Sequence, residues 1–243
     1  MKLLVDLGNT RIKWCEYSGH QCTLSEARAY EPATFDSVLG DGWSGNETPA
    51  SVVLCNVAGP EIGRQLADWV AENWACPVDD LRSGPELAGI TNAYADPERL
   101  GIDRLVAMVG ARSLIEGPVC VVDVGTAATL DAVDSEGRHL GGLIAPGPEM
   151  MLTTLGQTGD ILLDREGGIT EFADATPDAV ASGVMLSSIA LIERFVAATR
   201  KKVGGNVTLV VTGGAGHRML SYLNDARFET DLVLQGLAVI ARE

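Results

Sequence analysis

Two short segments of this sequence contain residue types that bind phosphate and a metal ion. The first, residues 6–10, follows an apolar run and reads Asp-Leu-Gly-Asn-Thr. A glycine directly after a strand lets backbone amides approach a phosphate group, because it has no Cβ atom. Asn9 and Thr10 add side-chain donors, and Lys13 on the next strand adds a positive charge. Asp6 can hold a hydrated Mg²⁺ ion. A plain turn between antiparallel strands has the same sequence, so both interpretations stay open.

The second segment, residues 122–127, repeats this pattern about half a chain later. Asp123 again ends an apolar run, and Gly125 is followed by the small polar Thr126. Two such turns make a clamp for a polyphosphate, whereas one makes only a hairpin. Neither has the GxxxxGK[ST] spacing of the P-loop, so a different phosphate-binding design is predicted. The repeat also indicates an internal duplication, with halves at residues 1–116 and 117–243 and a cleft between them.

A third candidate is a carboxylate at the start of an apolar helix. Asp103 precedes Arg104 and a strongly apolar run, and it is placed to accept a hydroxyl proton during phosphoryl transfer. An acidic residue near a helix N-terminus is also favoured by the helix dipole, so a structural role stays open. The glycine-rich residues 212–216 can pack against an adenine ring or form a plain turn. They lack the GxGxxG pattern of dinucleotide-binding folds.

Apolar strand patterns that alternate with helical ones predict an α/β fold. Residues 29–49 show neither pattern and are predicted to be an exposed connection. Residues 179–192 are short for a membrane span and predict a buried helix. Strands are predicted at 2–5, 11–16, 51–57, 119–122 and 207–211, a hairpin at 129–133 with 139–144, and helices at 61–74, 97–114 and 177–199.

The charge balance excludes some classes of partner. Acidic residues outnumber basic ones by 33 to 18, giving a net charge of −15. Such a surface repels nucleic-acid phosphates, and a phosphate site on it must rely on local amides and a metal ion. No signal peptide is predicted, because Asp6 interrupts the first apolar run.

The cysteines and histidines are predicted to have structural roles. The five cysteines (15, 22, 55, 76 and 120) are scattered without CxxC spacing, which suits a reduced cytosol and argues against a zinc site. Cys15, Cys55 and Cys120 stand in apolar runs and are predicted to be buried. The histidines His20, His139 and His217 have no metal-ligand partners at useful spacing, so each is predicted to be solvent-exposed or structural.

Seven short motifs, taken in order, resemble the type III pantothenate kinases of the acetate kinase, sugar kinase, Hsp70 and actin superfamily. The resemblance covers essentially the full chain, and it rests on the occurrence of all seven motifs in this order. The motifs are Asp-Leu-Gly-Asn-Thr at 6–10, Leu-Gly-Ile-Asp-Arg at 100–104, Asp-Val-Gly-Thr-Ala at 123–127, Gly-Gly-Leu-Ile-Ala-Pro-Gly at 141–147, Thr176 with Ser182-Gly183, Thr212-Gly213-Gly214, and Asp-Leu-Val-Leu-Gln-Gly-Leu at 231–237.

This resemblance implies two duplicated actin-like (ribonuclease H-like) halves with an interdomain ATP cleft, in a cytoplasmic homodimer that binds pantothenate near the subunit interface. It implies ATP with Mg²⁺ and a monovalent cation, K⁺ or NH₄⁺, as cofactors. Asp6 is implied to organise Mg²⁺, Asp123 to lie at the monovalent-cation site, and Asp103 to be the catalytic base. The implied ATP-binding residues are Asp6, Leu7, Gly8, Asn9, Thr10, Arg11, Ile12, Lys13 and Thr126. The implied pantothenate-binding residues are Tyr94, Gly101, Ile102, Asp103, Arg104 and Thr176.

Two other interpretations stay open. A regulatory relative that has lost activity, such as the accessory factors described as transcriptional activators, has no chemical reason to keep Asp6, Asp103 and Asp123 together. A kinase of the same fold that acts on another hydroxyl acceptor would need no partner for the carboxylate of pantothenate, whereas Arg104 and Tyr94 are plausible partners.

One segment departs from the family pattern. Residues 156–175 are acidic and form either a divergent surface loop or an altered substrate lid; the acidic residues are Asp160, Asp164, Glu166, Glu171 and Asp174.

Overall fold

The computed structural model describes residues 1–23, 25–157 and 166–242. Asp160 and Asp164 of the acidic segment lie outside the described residues. The chain divides into two compact units. Unit 1 comprises residues 1–114 together with 231–243, and unit 2 comprises residues 115–230.

The elements alternate between strands and helices, as an α/β fold requires. In unit 1 they are β1 (Lys2–Leu7), β2 (Arg11–Tyr17), β3 (Glu26–Ala29), α1 (Phe35–Trp43), β4 (Val52–Asn56), α2 (Pro60–Asn73), β5 (Val78–Asp80), β6 (Glu86–Leu87), β7 (Ile90–Thr91) and α3 (Ile102–Leu114). In unit 2 they are β8 (Val119–Val124), β9 (Ala127–Val133), β10 (His139–Pro146), α4 (Pro148–Gly156), α5 (Thr176–Val203), β11 (Thr208–Thr212) and β12 (Ala226–Phe228), and the chain ends with α6 (Leu232–Ile240), which belongs to unit 1.

The main sheets of the two units have the same topology. The strand order is β3-β2-β1-β4-β5 in unit 1 and β10-β9-β8-β11-β12 in unit 2. In unit 1, β1 pairs antiparallel with β2 and parallel with β4. In unit 2, β8 pairs antiparallel with β9 and parallel with β11. The two predicted phosphate-binding turns therefore lie at equivalent points, between β1 and β2 and between β8 and β9. The shared strand order supports the internal duplication that the repeated motif predicts.

The prediction for residues 29–49 is wrong, because this region contains α1. Its residues Phe35, Leu39 and Trp43 are spaced four apart and are buried in the core of unit 1. Trp43 stacks on Trp74 with 5.3 Å between ring centroids. The helical pattern is hard to see in the sequence because Gly40, Asp41 and Gly42 interrupt it.

Helix α5 is buried on one face only, whereas the sequence predicted a buried helix. It has 28 residues, and by length and composition alone it is long and apolar enough to cross a membrane. Of its most apolar stretch, 33% is buried. Val184, Ile189 and Ile192 are on the buried face. Core helices of soluble proteins pass the same test of length and hydropathy, so this finding alone does not indicate a membrane protein.

The last helix packs within unit 1, whereas the predicted second half, residues 117–243, includes this helix. Helices α3 and α6 approach closely through a glycine on each. A Cβ atom on Gly110 would collide with the Leu232 carbonyl, and one on Gly236 would collide with the Val106 carbonyl. Lys2 Nζ also donates a hydrogen bond to the Ala241 carbonyl at 2.7 Å. The C-terminus is thereby attached to the sheet of unit 1.

Candidate active site

The first predicted phosphate-binding turn joins β1 to β2. The Gly8 N–H donates to the Arg11 carbonyl at 3.0 Å, which closes the turn. Asn9, Thr10 and Arg11 are exposed. The turn therefore presents polar groups to solvent, as a phosphate site requires. The implied ligands Leu7 and Ile12 have fully buried side chains, so only their backbone atoms are suited to bind ATP.

The side chain of Lys13 is paired with a carboxylate that the sequence analysis did not assign. Lys13 lies opposite Asp6 in the β1–β2 register, and its Nζ is 3.7 Å from Asp231 Oδ1. Ser25 Oγ donates to Asp231 Oδ2 at 2.7 Å. Asp231 is thus a further candidate site residue in unit 1. Asp231 could have been found from the sequence, because it is the first residue of the last family motif, at 231–237.

The second turn, in unit 2, joins β8 to β9 in the same way. The Gly125 N–H donates to the Ala127 carbonyl at 3.0 Å, and the Gly147 N–H donates to the Thr126 carbonyl at 2.9 Å. A Cβ atom on Gly147 would collide with the Gly125 carbonyl. Thr126 is exposed, as a ligand-binding residue must be. Because Gly147 has no Cβ atom, the turn can pack closely against it.

The third glycine turn packs directly against Asp123. Asp123 is half-buried and lies beside Thr212 in the parallel pairing of β8 with β11. Gly213 has φ +87°, and a Cβ atom on it would collide with Asp123 Oδ1. Only glycine suits this position, both for its backbone conformation and for the space left by the carboxylate. The structure therefore brings the second and third turns together around Asp123.

Asp6 and Asp103 both lie near the buried thiol of Cys55. Cys55 is on β4 and pairs with Asp6 on β1. Burial raises the pKa of the Cys55 thiol well above its usual value. The negative charges of Asp6, Asp103 and Asp80 raise that pKa further. The two predicted carboxylates therefore lie close enough to one thiol to affect its ionisation, together with Asp80, which the sequence analysis missed.

Asp103 is the second residue of α3 and is half-buried. Its Oδ1 accepts a hydrogen bond from the Arg104 N–H at 2.8 Å. A Cβ atom on Gly101 would lie only 2.5 Å from the same oxygen. The glycine before the helix therefore leaves the space that this carboxylate occupies. Ile102, between them, is buried.

Arg104 and Tyr94 form a pair in unit 1. Arg104 is buried, and its Nη1 donates to Tyr94 Oη at 2.9 Å. Asn92 holds the loop that carries Tyr94: its Oδ1 accepts from the Tyr94 N–H at 3.0 Å, and its Nδ2 donates to the Pro97 carbonyl at 2.9 Å. A buried guanidinium beside a phenol is suited to bind an anionic group.

Thr176 is the first residue of α5 and is exposed. The part of the acidic segment that is described packs against the first turns of this helix. The Gly168 N–H donates to Asp178 Oδ1 at 2.6 Å, and the Thr170 N–H donates to Ser182 Oγ at 2.9 Å. Thr176 is in unit 2, whereas the other implied pantothenate-binding residues are in unit 1.

Asp6 is suited to bind a hydrated magnesium ion. Among the described residues there is no group of three or more His, Cys, Asp or Glu side chains that could hold a metal. Mg²⁺ usually keeps several waters and binds one or two carboxylates together with substrate phosphates. Asp6 at the end of β1 fits that requirement. Asp80 Oδ1, at the end of β5, is buried and has no hydrogen-bond partner within the described ranges.

The predicted burial of Cys15, Cys55 and Cys120 is confirmed, and His20 and His217 are exposed. Cys15, Cys55 and Cys120 are buried free thiols, and burial raises the pKa of Cys120 to about 11. His139 is buried, and its Nε2 lies 2.9 Å from Asp131 Oδ1. Its role is therefore structural.

Two solved structures define the class of fold. A Campylobacter jejuni protein assigned to the Baf family of transcriptional activators matches with a TM-score of 0.67 and 23% identity, over 99% of this chain and 97% of that chain. A Sinorhizobium meliloti protein assigned as a 2-dehydro-3-deoxygalactonokinase matches with a TM-score of 0.57 and 14% identity, over 100% of this chain and 98% of that chain. At these identities the likeness shows the fold alone, the two-sheet α/β fold of actin-like proteins and sugar kinases.

Sequence comparison narrows this class to one family. The family model described as type III pantothenate kinase matches residues 2–198. The type III pantothenate kinase of Nitrosococcus oceani is 36% identical over 259 residues, which covers 100% of this chain and 94% of the relative. The chain belongs to the type III pantothenate kinase family.

Proposed function

We propose that this protein transfers the γ-phosphoryl group of ATP to pantothenate, giving 4'-phosphopantothenate in the first step of coenzyme A biosynthesis. Family membership supports the reaction. The observation that carries the proposal for this chain is the pairing of Asp6, at the end of β1, with Cys55 on β4, whose pKa is raised by the negative charges of both Asp6 and Asp103. A metal-binding carboxylate and a candidate base are the two acidic groups that this chemistry needs.

The first turn binds the phosphates of ATP. Asp6 would hold the hydrated Mg²⁺ ion, and the backbone and side chains from Gly8 to Lys13 would contact phosphate oxygens. Thr126, in the equivalent turn of unit 2, donates to a phosphate oxygen. The magnesium ion supplies the positive charge that an acidic protein otherwise lacks at a phosphate site.

The acceptor is bound by the residues around the start of α3. Arg104 and Tyr94 bind the carboxylate of pantothenate, and Ile102 lies between Arg104 and Gly101 in the same segment. Asp103 accepts the proton of the primary hydroxyl as that oxygen attacks the γ-phosphorus in line. The new O–P bond forms as the bond between phosphorus and the β,γ-bridging oxygen breaks, and ADP leaves. Positioning and charge neutralisation supply most of the rate.

A monovalent cation, K⁺ or NH₄⁺, would be held at Asp123. The half-buried carboxylate at the end of β8 and the close approach of Gly213 support this assignment. The protein acts in the cytoplasm as a homodimer.

A coupled ADP-release assay tests this proposal. ATP and Mg²⁺ are supplied with pantothenate, or with a sugar as the acceptor control, in K⁺ or in Na⁺ only. We expect turnover that requires both pantothenate and K⁺. Turnover with the sugar and none with pantothenate would show that the protein phosphorylates another acceptor. Folded protein without turnover in either salt would indicate a regulatory relative. Turnover that is equal in K⁺ and Na⁺ would contradict the role of Asp123.

Replacing Gly101 by Ala is expected to lower kcat without loss of stability. The added Cβ atom would lie 2.5 Å from Asp103 Oδ1, so the carboxylate must move. Because Oδ1 is the end of a rotatable side chain, the fold accommodates the change, whereas a shifted base lowers kcat by about 10-fold or more. Steady-state kinetics and thermal unfolding measure the two effects. An unchanged kcat would show that the position of this carboxylate does not limit turnover.

Replacing Asp231 by Asn is expected to lower kcat/KM for ATP by about three- to tenfold, because Lys13 loses the charge that orients it. Asn remains a favourable residue before a helix and still accepts from Ser25. The ion pair is partly exposed, so the free energy of unfolding should change by less than about 1 kcal/mol. Asp96→Asn, which removes an exposed ion pair with Arg99, is the control. A rise in kcat/KM would instead show that Asp231 competes with phosphate for Lys13.

A further inference from the structure

Tyr30 follows β3 and precedes α1, in a region where the sequence showed no functional pattern. Its side chain is half-buried, and its ring packs against Phe35 with 4.7 Å between ring centroids. The position of the ring is therefore fixed by the core of unit 1. The phenol group at its far end is directed at the first phosphate-binding turn.

Tyr30 makes two hydrogen bonds to that turn. Its Oη donates to the Gly8 carbonyl at 2.6 Å, and its backbone N–H donates to the Thr10 carbonyl at 3.3 Å. One residue thus binds carbonyl groups on both sides of Asn9. Burial raises the pKa of Tyr30 above its ordinary value, so the hydroxyl remains a donor at neutral pH.

These bonds determine which way the peptide groups of the turn point. In a planar trans peptide the C=O and the following N–H point in opposite directions. Because the Gly8 carbonyl points at Tyr30, the N–H of Asn9 points away from it. The Gly8 N–H is already bonded to the Arg11 carbonyl, so the Asn9 amide is the better placed of the two to bind an anion.

We propose that Tyr30 is a positioning residue that fixes the Gly8–Asn9 peptide with its N–H toward the phosphate chain of ATP and its carbonyl away from it. A carbonyl oxygen turned toward the phosphates would repel them, so the orientation of this single peptide affects affinity. The inference rests on the proposed function only in that the first turn binds ATP.

The test is direct binding of nucleotides to the full chain, by calorimetry and without pantothenate. Tyr30→Phe removes the hydroxyl and keeps the ring that packs on Phe35. We expect Mg-ATP and Mg-ADP to bind about 10-fold more weakly, and adenosine to bind within about twofold of wild type, because only the phosphates contact the turn. A purely structural role would weaken all three ligands alike.

Tyr17→Phe is the matched control. Tyr17 Oη also donates to a glycine carbonyl, that of Gly19, at 2.7 Å, but this bond lies at the far end of β2 from the phosphate-binding turn. We expect this variant to bind ATP as wild type does. Equal weakening of ATP and adenosine by Tyr30→Phe, or wild-type affinity for ATP, would overturn the proposal.

Kinetics give a second measurement on the same variant. KM for ATP should rise about 10-fold while KM for pantothenate stays unchanged. If the wild type binds ATP and fails to phosphorylate pantothenate, the proposed function is wrong, and the binding comparison still decides the role of Tyr30. If the wild type does not bind ATP, both proposals are overturned.

Discussion

Replacing Asp103 by Asn is expected to lower kcat by about 10²- to 10⁴-fold, the range over which general base catalysis contributes. Asn has nearly the same shape and still accepts the hydrogen bond from the Arg104 N–H, so the start of α3 is preserved. It cannot accept the proton of the pantothenate hydroxyl. Because the loss falls on the chemical step, the affinity for ATP and for pantothenate should change by only a few fold.

The control is Asp36→Asn, since Asp36 is the second residue of α1 as Asp103 is of α3. Both variants remove a negative charge that interacts favourably with the helix dipole. At an exposed site this interaction contributes about 0.3–1 kcal/mol to stability. Single-turnover kinetics on both variants separate the chemical step from this loss of stability. Near wild-type turnover by Asp103→Asn, with both substrates bound, would show that Asp103 is not the base.

Replacing Gly236 by Ala is expected to destabilise unit 1 by about 1–3 kcal/mol or more, as overpacking of a well-packed core does. The added Cβ atom would collide with the backbone carbonyl of Val106, which cannot rotate away. Helices α3 and α6 must then move apart. Because Asp103 lies in the first turn of α3, activity should also fall.

Gly40→Ala in α1 is the control for this prediction. A Cβ atom there would lie 3.9 Å from Ser44 Oγ, an ordinary contact. Helix propensity then favours Ala by up to about 1 kcal/mol. Urea unfolding followed by tryptophan fluorescence reports on unit 1, because Trp14, Trp43, Trp69 and Trp74 all pack there. Equal stability of the two variants would show that the glycine contact between α3 and α6 is not a tight one.

Local features of the fold could be predicted from the sequence. The two Asp-Gly turns follow continuous apolar strands, and their repeat predicts the shared topology of the two sheets. Asp103 could be singled out because this carboxylate, followed by Arg104, stands just before a strongly apolar run. These features are determined by residues that are close together along the chain, so they can be recognised in a single sequence.

Contacts between distant parts of the chain could not be predicted in this way. Tyr30 contacts the first turn through the pairing of β2 with β3, and no spacing in the sequence marks that contact. Asp231 reaches Lys13 only because α6 returns to unit 1. Nothing local in residues 231–243 indicates the unit on which they pack, since that depends on Gly110 and Gly236 meeting across two helices.

The most direct test of the central claim is phosphorus NMR of the products formed from ATP, Mg²⁺, K⁺ and pantothenate. We expect ADP and one new phosphate monoester on the primary hydroxyl of pantothenate, in equal amounts, and neither product in appreciable amount with Asp103→Asn on the same timescale. Release of inorganic phosphate without the ester, from wild-type protein that binds both substrates, would contradict the central claim.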